Sequence, residues 1–206
     1  MKDIVLLGGP NGAGKTTAAR VIVPDFLGLN EFLNADEFAR GIAPGNLEKA
    51  AWAAGRRMLE RMRELVGRDE SFGLETTCAG RSYLHFLRNC KLKGWRITLV
   101  YFWLKSPELA VTRVAHRVSE GGHAVPPDII RRRYSASVAN MRKLYLPLAD
   151  EVEIYDNSDW RRVLIATRRE GGLLVIRDSK RWAKIKRTEY EKDDIKRPPQ
   201  GDSTGS

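Results

Sequence analysis

The chain has 206 residues, 42% hydrophobic and 30% charged, the make-up of one soluble globular domain whose core needs no disulfide or metal staple. No apolar run approaches the ~20 residues of a membrane span, and Met-Lys-Asp leads straight into a strand-like run without a signal-peptide pattern, so a cytoplasmic protein is expected. The net charge of +10 favours nucleotides, polyanions or anionic surfaces, whereas Cys78, Cys90 and three scattered histidines give no spacing for metal or redox chemistry.

Residues 3–8, "DIVLLG", form a short apolar run ending in glycines, the pattern of a buried strand. A helix from Gly14 to about Val23, closed by Pro24, follows, then a second strand over Glu31–Asn34. Ala50, Ala54, Met58, Met62 and Leu65 recur at helical spacing in a long helix, "SFGLETT" is a third strand, and the next helix stops at Gly94. "WRITLVYFWL" reads as the strongest strand; Ser106 and Pro107 then cap and open a helix. Another helix begins at the Pro-Pro pair and ends near Pro147, "EVEIYD" is a fifth strand, and two alternating runs around Glu170-Gly171-Gly172 predict a β-hairpin. This order predicts an α/β fold: a doubly wound three-layer sandwich with a five-stranded parallel sheet, helices on both faces and a C-terminal β-hairpin. Residues 1–176 are expected to form the domain, and 177–206 a basic, flexible tail ending in a Pro, Gly and Ser-rich segment.

Between the first strand and helix lies Gly9-Pro10-Asn11-Gly12-Ala13-Gly14-Lys15-Thr16-Thr17, a P-loop in its proper context. Its backbone N–H groups and the helix N-terminus suit phosphate, Lys15 suits the β- and γ-phosphates of ATP, and the Thr16 hydroxyl suits Mg²⁺. A transporter-type ATPase would add an LSGGQ-like signature and a strand ending in Asp-Glu, but "VSEGGHAVP" leads to no such strand and "ITLVYFWLKS" ends in Lys-Ser. No N-K-x-D segment supports a GTPase. Small P-loop kinases remain.

A kinase needs a base for the acceptor hydroxyl, and Asp36, just past the second strand, stands at the edge where open α/β sheets bind ligands. It could equally cap the helix from Glu37 to Arg40. Glu75 and Thr77 at the end of the third strand are candidate substrate contacts. Arg113 and Arg117 share a helical face, and Gly-Gly and Pro-Pro breaks separate them from Arg131, Arg132 and Arg133. Helix, connector and arginine-bearing helix over about 113–134 have the form of a closing lid, with Arg117 and Arg131 selected for the phosphates. Asn157, in the polar turn after the fifth strand, is a candidate purine contact.

"GGPNGAGKTT", "NADEFAR", "ETT", "HRVSEGGHAVPPDIIRRRY" and "YDNS", in this order, resemble the zeta-toxin kinases over roughly residues 3–160. That resemblance implies a P-loop kinase using ATP and Mg²⁺ to phosphorylate the sugar 3′-hydroxyl of UDP-N-acetylglucosamine or another nucleotide sugar. It implies Lys15 and Thr16 for phosphates and metal, Asp36 as base, Glu75 and Thr77 on the substrate, and Arg117 with Arg131 as lid arginines, Arg132 being an equal choice for the second. A separate antitoxin that blocks the nucleotide site is implied as well. The alternatives are a polynucleotide 5′-hydroxyl kinase and a non-catalytic, ATP-gated interaction module.

Overall fold

The computed structural model describes residues 2–19, 29, 31–42 and 47–188. The expected end of the first helix at Val23–Pro24 and the final Pro, Gly and Ser-rich segment lie outside the described residues. The order is β1 (Asp3–Gly8), β2 (Glu31–Asn34), α1 (Ala35–Ile42), α2 (Leu47–Gly67), β3 (Phe72–Thr76), α3 (Leu84–Leu92), β4 (Arg96–Trp103), α4 (Pro107–Ser119) and α5 (Pro127–Asn140). A π-helical turn (Met141–Tyr145), α6 (Leu146–Leu148), β5 (Glu151–Asp156), β6 (Val163–Arg168), β7 (Val175–Ile176) and α7 (Ser179–Arg187) complete it.

Ile4, Val5, Leu6 and Leu7 are all buried, so β1 is covered on both faces, as its unbroken apolar run requires. All seven strands form one sheet in the order β2-β3-β1-β4-β5-β6-β7. The first five are parallel, β6 runs antiparallel beside β5, and β7 pairs antiparallel with β6. The predicted hairpin is therefore present but is part of the main sheet, covering the β5 edge. Chain order sends β2 and β3 to one side of β1 and β4 and β5 to the other, which opens a crevice beyond the carboxyl ends of the strands. Ser106 accepts a hydrogen bond from the Leu109 N–H at 3.2 Å, the cap its position predicts. Both cysteines are buried free thiols. No helix among the described residues is long and apolar enough to cross a membrane.

The segment after Arg177 differs from the flexible tail expected there. Asp178 caps α7 by accepting from the Arg181 N–H at 2.9 Å, and Ile185 is fully buried. Arg181 Nε donates to Asp156 Oδ2 at 2.7 Å, pairing a carboxylate buried at the end of β5. Burial of Ile185 and this ion pair outweigh the repulsion among the surrounding lysines and arginines. Arg181→Ala strands the Asp156 charge and is expected to cost roughly 2 kcal/mol of stability, less than a fully buried pair because the guanidinium is partly open to water. Urea denaturation measures it; an unchanged midpoint would refute the assignment.

Candidate active site

The P-loop follows β1 at the crevice. Gly9 has φ +149°, and a Cβ there would stand 2.5 Å from the Phe102 carbonyl oxygen, so only glycine lets the loop pass β4. Ala13 N–H donates to the Pro10 carbonyl at 3.2 Å, closing the turn, and residues 15–19 continue as helix. Lys15 is buried, its Nζ donating to the same Pro10 carbonyl at 2.9 Å. Burial lowers the Lys15 pKa, opposed first by the nearby Glu75 carboxylate.

The acidic strand end that β4 lacks lies on β3, the direct neighbour of β1, where Glu75, expected on the substrate, registers with Leu7 on one side and with Asn34 on the other. Glu75 Oε2 accepts from the Thr16 hydroxyl at 2.9 Å and from Asn34 Nδ2 at 3.1 Å, and Oε1 stands 3.8 Å from Lys15 Nζ. The carboxylate thus faces the P-loop threonine and lysine.

Asn34, which the sequence reading passed over, has a second task. Its Oδ1 accepts from the Asp36 N–H at 2.8 Å, so Asn34 caps the start of α1. Asp36 is therefore in the first turn and is not the cap. Its carboxylate makes no hydrogen bond among the described residues and lines the same cavity as Lys15 and Thr16.

That cavity has a volume of about 780 Å³. Asn11, Gly12, Gly14, Lys15, Thr16 and Thr17 line it from the P-loop, Asp36 from α1, Glu75 and Thr77 from β3 and its exit, and Ser82 and Tyr83 beyond. From α4 and α5 come Arg113, His116, Arg117, Glu120, Arg132 and Arg133. Five lysines and arginines against three carboxylates make it a site for an anionic ligand. Among the described residues no group of three or more His, Cys, Asp or Glu is placed to hold a metal by itself.

Two predicted residues fall elsewhere. Arg131 is outside the cavity, its Nε 3.6 Å from Glu108, because the arginine triplet rotates through successive helical positions and only the second and third face inward. Asn157 is also outside; its Nδ2 donates to the Ala13 carbonyl at 2.8 Å and so braces the P-loop. Arg113 reinforces that brace, donating to the carbonyls of Asn157 and Ser158 at 2.7 and 2.8 Å. Arg117 keeps its cavity position by donating to the His123 carbonyl at 2.9 Å, while its buried Nε has no partner among the described residues.

A parallel sheet in this order, with a P-loop after its first strand and arginine-bearing helices across the crevice, is a P-loop kinase fold. No protein-family model matches the chain. An uncharacterized protein of Haemophilus influenzae is 29% identical over 126 residues, 61% of this chain and 88% of that protein. A structure from the PezAT chromosomal toxin-antitoxin system of Streptococcus pneumoniae aligns with TM-score 0.62 and 22% identity, over 81% of this chain and 71% of the other. The AvrRxo1-ORF1:-ORF2 structure with ATP aligns with TM-score 0.69 and 18% identity over the whole of this chain, which spans just under two thirds, 66%, of that one. The fold is that of the zeta-toxin-like P-loop kinases.

Proposed function

We propose that the chain is an ATP-dependent kinase acting on a hydroxyl of a small anionic acceptor, with UDP-N-acetylglucosamine the first compound to test. One observation carries this reading: the Asp36 carboxylate, free of hydrogen bonds among the described residues, shares a single cavity with Lys15 and Thr16 of the P-loop. The backbone N–H groups of residues 9–14 and Lys15 bind the phosphates, Lys15 exchanging its Pro10 carbonyl for phosphate oxygen. Asp36 takes the acceptor proton as that oxygen bonds to the γ-phosphorus and the bond to ADP breaks. Arg117 and Arg132 face the charge that spreads over the transferred group, and residues 113–134 act as the lid.

Mg²⁺ fits the donor set. The Thr16 hydroxyl and the Glu75 carboxylate, 2.9 Å apart, are hard oxygen donors beside the phosphate-binding loop, as Mg²⁺ prefers. Thr16 and Glu75 would hold it directly or through water, and it would supply charge neutralisation on the phosphates. Thr77 at the cavity wall takes the acceptor side. Likeness to the PezAT system supports one more proposal, that a separate antitoxin-like protein covers the cavity mouth in a cytoplasmic setting.

The test incubates the full chain with Mg-ATP and a panel of UDP-N-acetylglucosamine, other nucleotide sugars and a 5′-hydroxyl RNA oligonucleotide, with mass spectrometry of products. One phosphate gained by a sugar nucleotide is expected; transfer only to RNA would move the activity to polynucleotide kinases. ATP binding with no transfer to any compound would favour a nucleotide-gated interaction module. With an accepted substrate, Arg132→Ala is expected to slow transfer about 10–100-fold, and Arg131→Ala to leave it within about twofold. Equal losses in the two variants would contradict the assigned facing of α5.

A further inference from the structure

Beside the start of the P-loop, the cavity is walled by the short segment 77–80 between β3 and α3, which contributes Thr77, Ala79 and Gly80. Its backbone is unusual. Cys78 has φ +57°, a left-handed conformation that residues other than glycine adopt at a cost. Thr76 Oγ1 accepts from the Cys78 N–H at 3.0 Å and Thr77 Oγ1 from the Ala79 N–H at 3.3 Å, which fixes the local turn.

Three successive carbonyls of this segment are held from a distant part of the chain. Asn140 Nδ2 donates to the Cys78 carbonyl at 3.1 Å and to the Ala79 carbonyl at 2.8 Å. The Tyr145 hydroxyl donates to the Gly80 carbonyl at 2.9 Å. Both side chains are buried. Asn140 ends α5 and Tyr145 ends the π-helical turn. At about 100° per residue an α-helix would set residues five apart roughly 140° from each other around the axis. The π turn, closed by Leu146 N–H on the Met141 carbonyl, brings such residues much closer to one face than an α-helix would. One face can then grip all three carbonyls.

The same helix is pinned further back. Tyr134 donates to the Leu104 carbonyl at 2.6 Å, and Ser137 shares a hydrogen bond with the Tyr101 hydroxyl at 2.8 Å. Its first half carries Arg132 and Arg133 into the cavity. One braced rod thus carries the phosphate-side arginines at one end and holds the 77–80 wall with the other.

We propose that Asn140 and Tyr145 are positioning residues that hold the 77–80 segment in the form that receives the acceptor; this rests on the kinase reading above. They touch neither phosphate nor acceptor and act through the three carbonyls. Releasing them lets the segment leave its left-handed turn and degrades acceptor binding while residues 12–15, which bind phosphate, keep their shape.

The experiment compares the full wild-type chain with Tyr145→Phe, which keeps the ring and so the packing, and Asn140→Ala. Amide hydrogen exchange without ligand is expected to speed up about fivefold or more over 77–83 in both variants and to stay unchanged over 12–15. With the best compound of the acceptor panel, KM for the acceptor is expected to rise about five- to tenfold while KM for ATP stays within about twofold. Unchanged exchange over 77–83 in Tyr145→Phe overturns the proposal, as does a rise in KM for ATP matching that for the acceptor. Should the wild-type chain phosphorylate nothing, the kinase reading and the acceptor role fall together, and faster exchange would then establish only the clamp.

Discussion

Asp36→Asn is expected to slow phosphoryl transfer on the order of 10²–10⁴-fold, the loss that follows when a general base is removed, with little change in ATP affinity. The substitution keeps the size of the side chain and removes its ability to take a proton. Because Asn34 caps α1 through the Asp36 N–H, the helix start does not depend on the Asp36 carboxylate. A carboxylate serving only the positive end of the helix would be worth about 0.5 kcal/mol of stability and nothing in rate. Single-turnover transfer and thermal unfolding on the same two proteins separate the cases. A normal rate with a lowered midpoint would reduce Asp36 to a helix charge and remove the base from the mechanism.

Much of this site is local in sequence and so could be read there. The P-loop needs a strand, glycines and a helix within fifteen residues, and β1, β2 and the Ser106 cap lie where pattern and capping chemistry put them. What could not be read depends on which strands lie side by side. The strongest strand, β4, ends without an acid, yet Glu75 meets Thr16 because β3 is also a neighbour of β1. Chain order does not reveal that neighbour. Nor does it reveal that Asn140 and Tyr145 reach back more than sixty residues to the exit of β3.

The arginine triplet is a different kind of miss, since its answer was available. Ile130, Tyr134 and Val138 are buried at helical spacing, and that apolar stripe fixes the phase of α5. Arg132 and Ala136, four apart, then share the cavity face, while Arg131 turns away to Glu108. In α7 the signal was Asp178 as a cap with Trp182 and Ile185 three apart, hidden by the weight of positive charge around them. Net charge masked an amphipathic helix.

Lys15→Ala is expected to remove transfer by about 10³-fold or more, and to do so without loss of stability. Lys15 is a buried cation whose partners are one carbonyl and a carboxylate 3.8 Å away, and burial is the largest influence on its pKa, pushing it down. A lysine with a depressed value in the folded chain binds fewer protons folded than unfolded. Stability therefore rises with pH between that value and the ordinary 10.5, and at lower pH the folded chain carries the cost of the buried charge. Alanine relieves that cost, and Thr16 and Asn34 still donate to the Glu75 carboxylate that remains. The surroundings set how far the depression goes: Glu75, Cys78 and Asp36 raise the value and Arg117 lowers it. Phosphate adds negative charge at Nζ and favours the protonated form, so wild-type ATP affinity is expected to fall as pH climbs through the depressed Lys15 value. The alanine variant should lack that limb. Calorimetric titration of ATP over a series of pH values up to the ordinary lysine value, beside urea midpoints for both proteins, would show it. A variant that unfolds more easily at neutral pH, or binds ATP with the wild-type pH profile, would mean that Lys15 supports the fold and does not serve the phosphates.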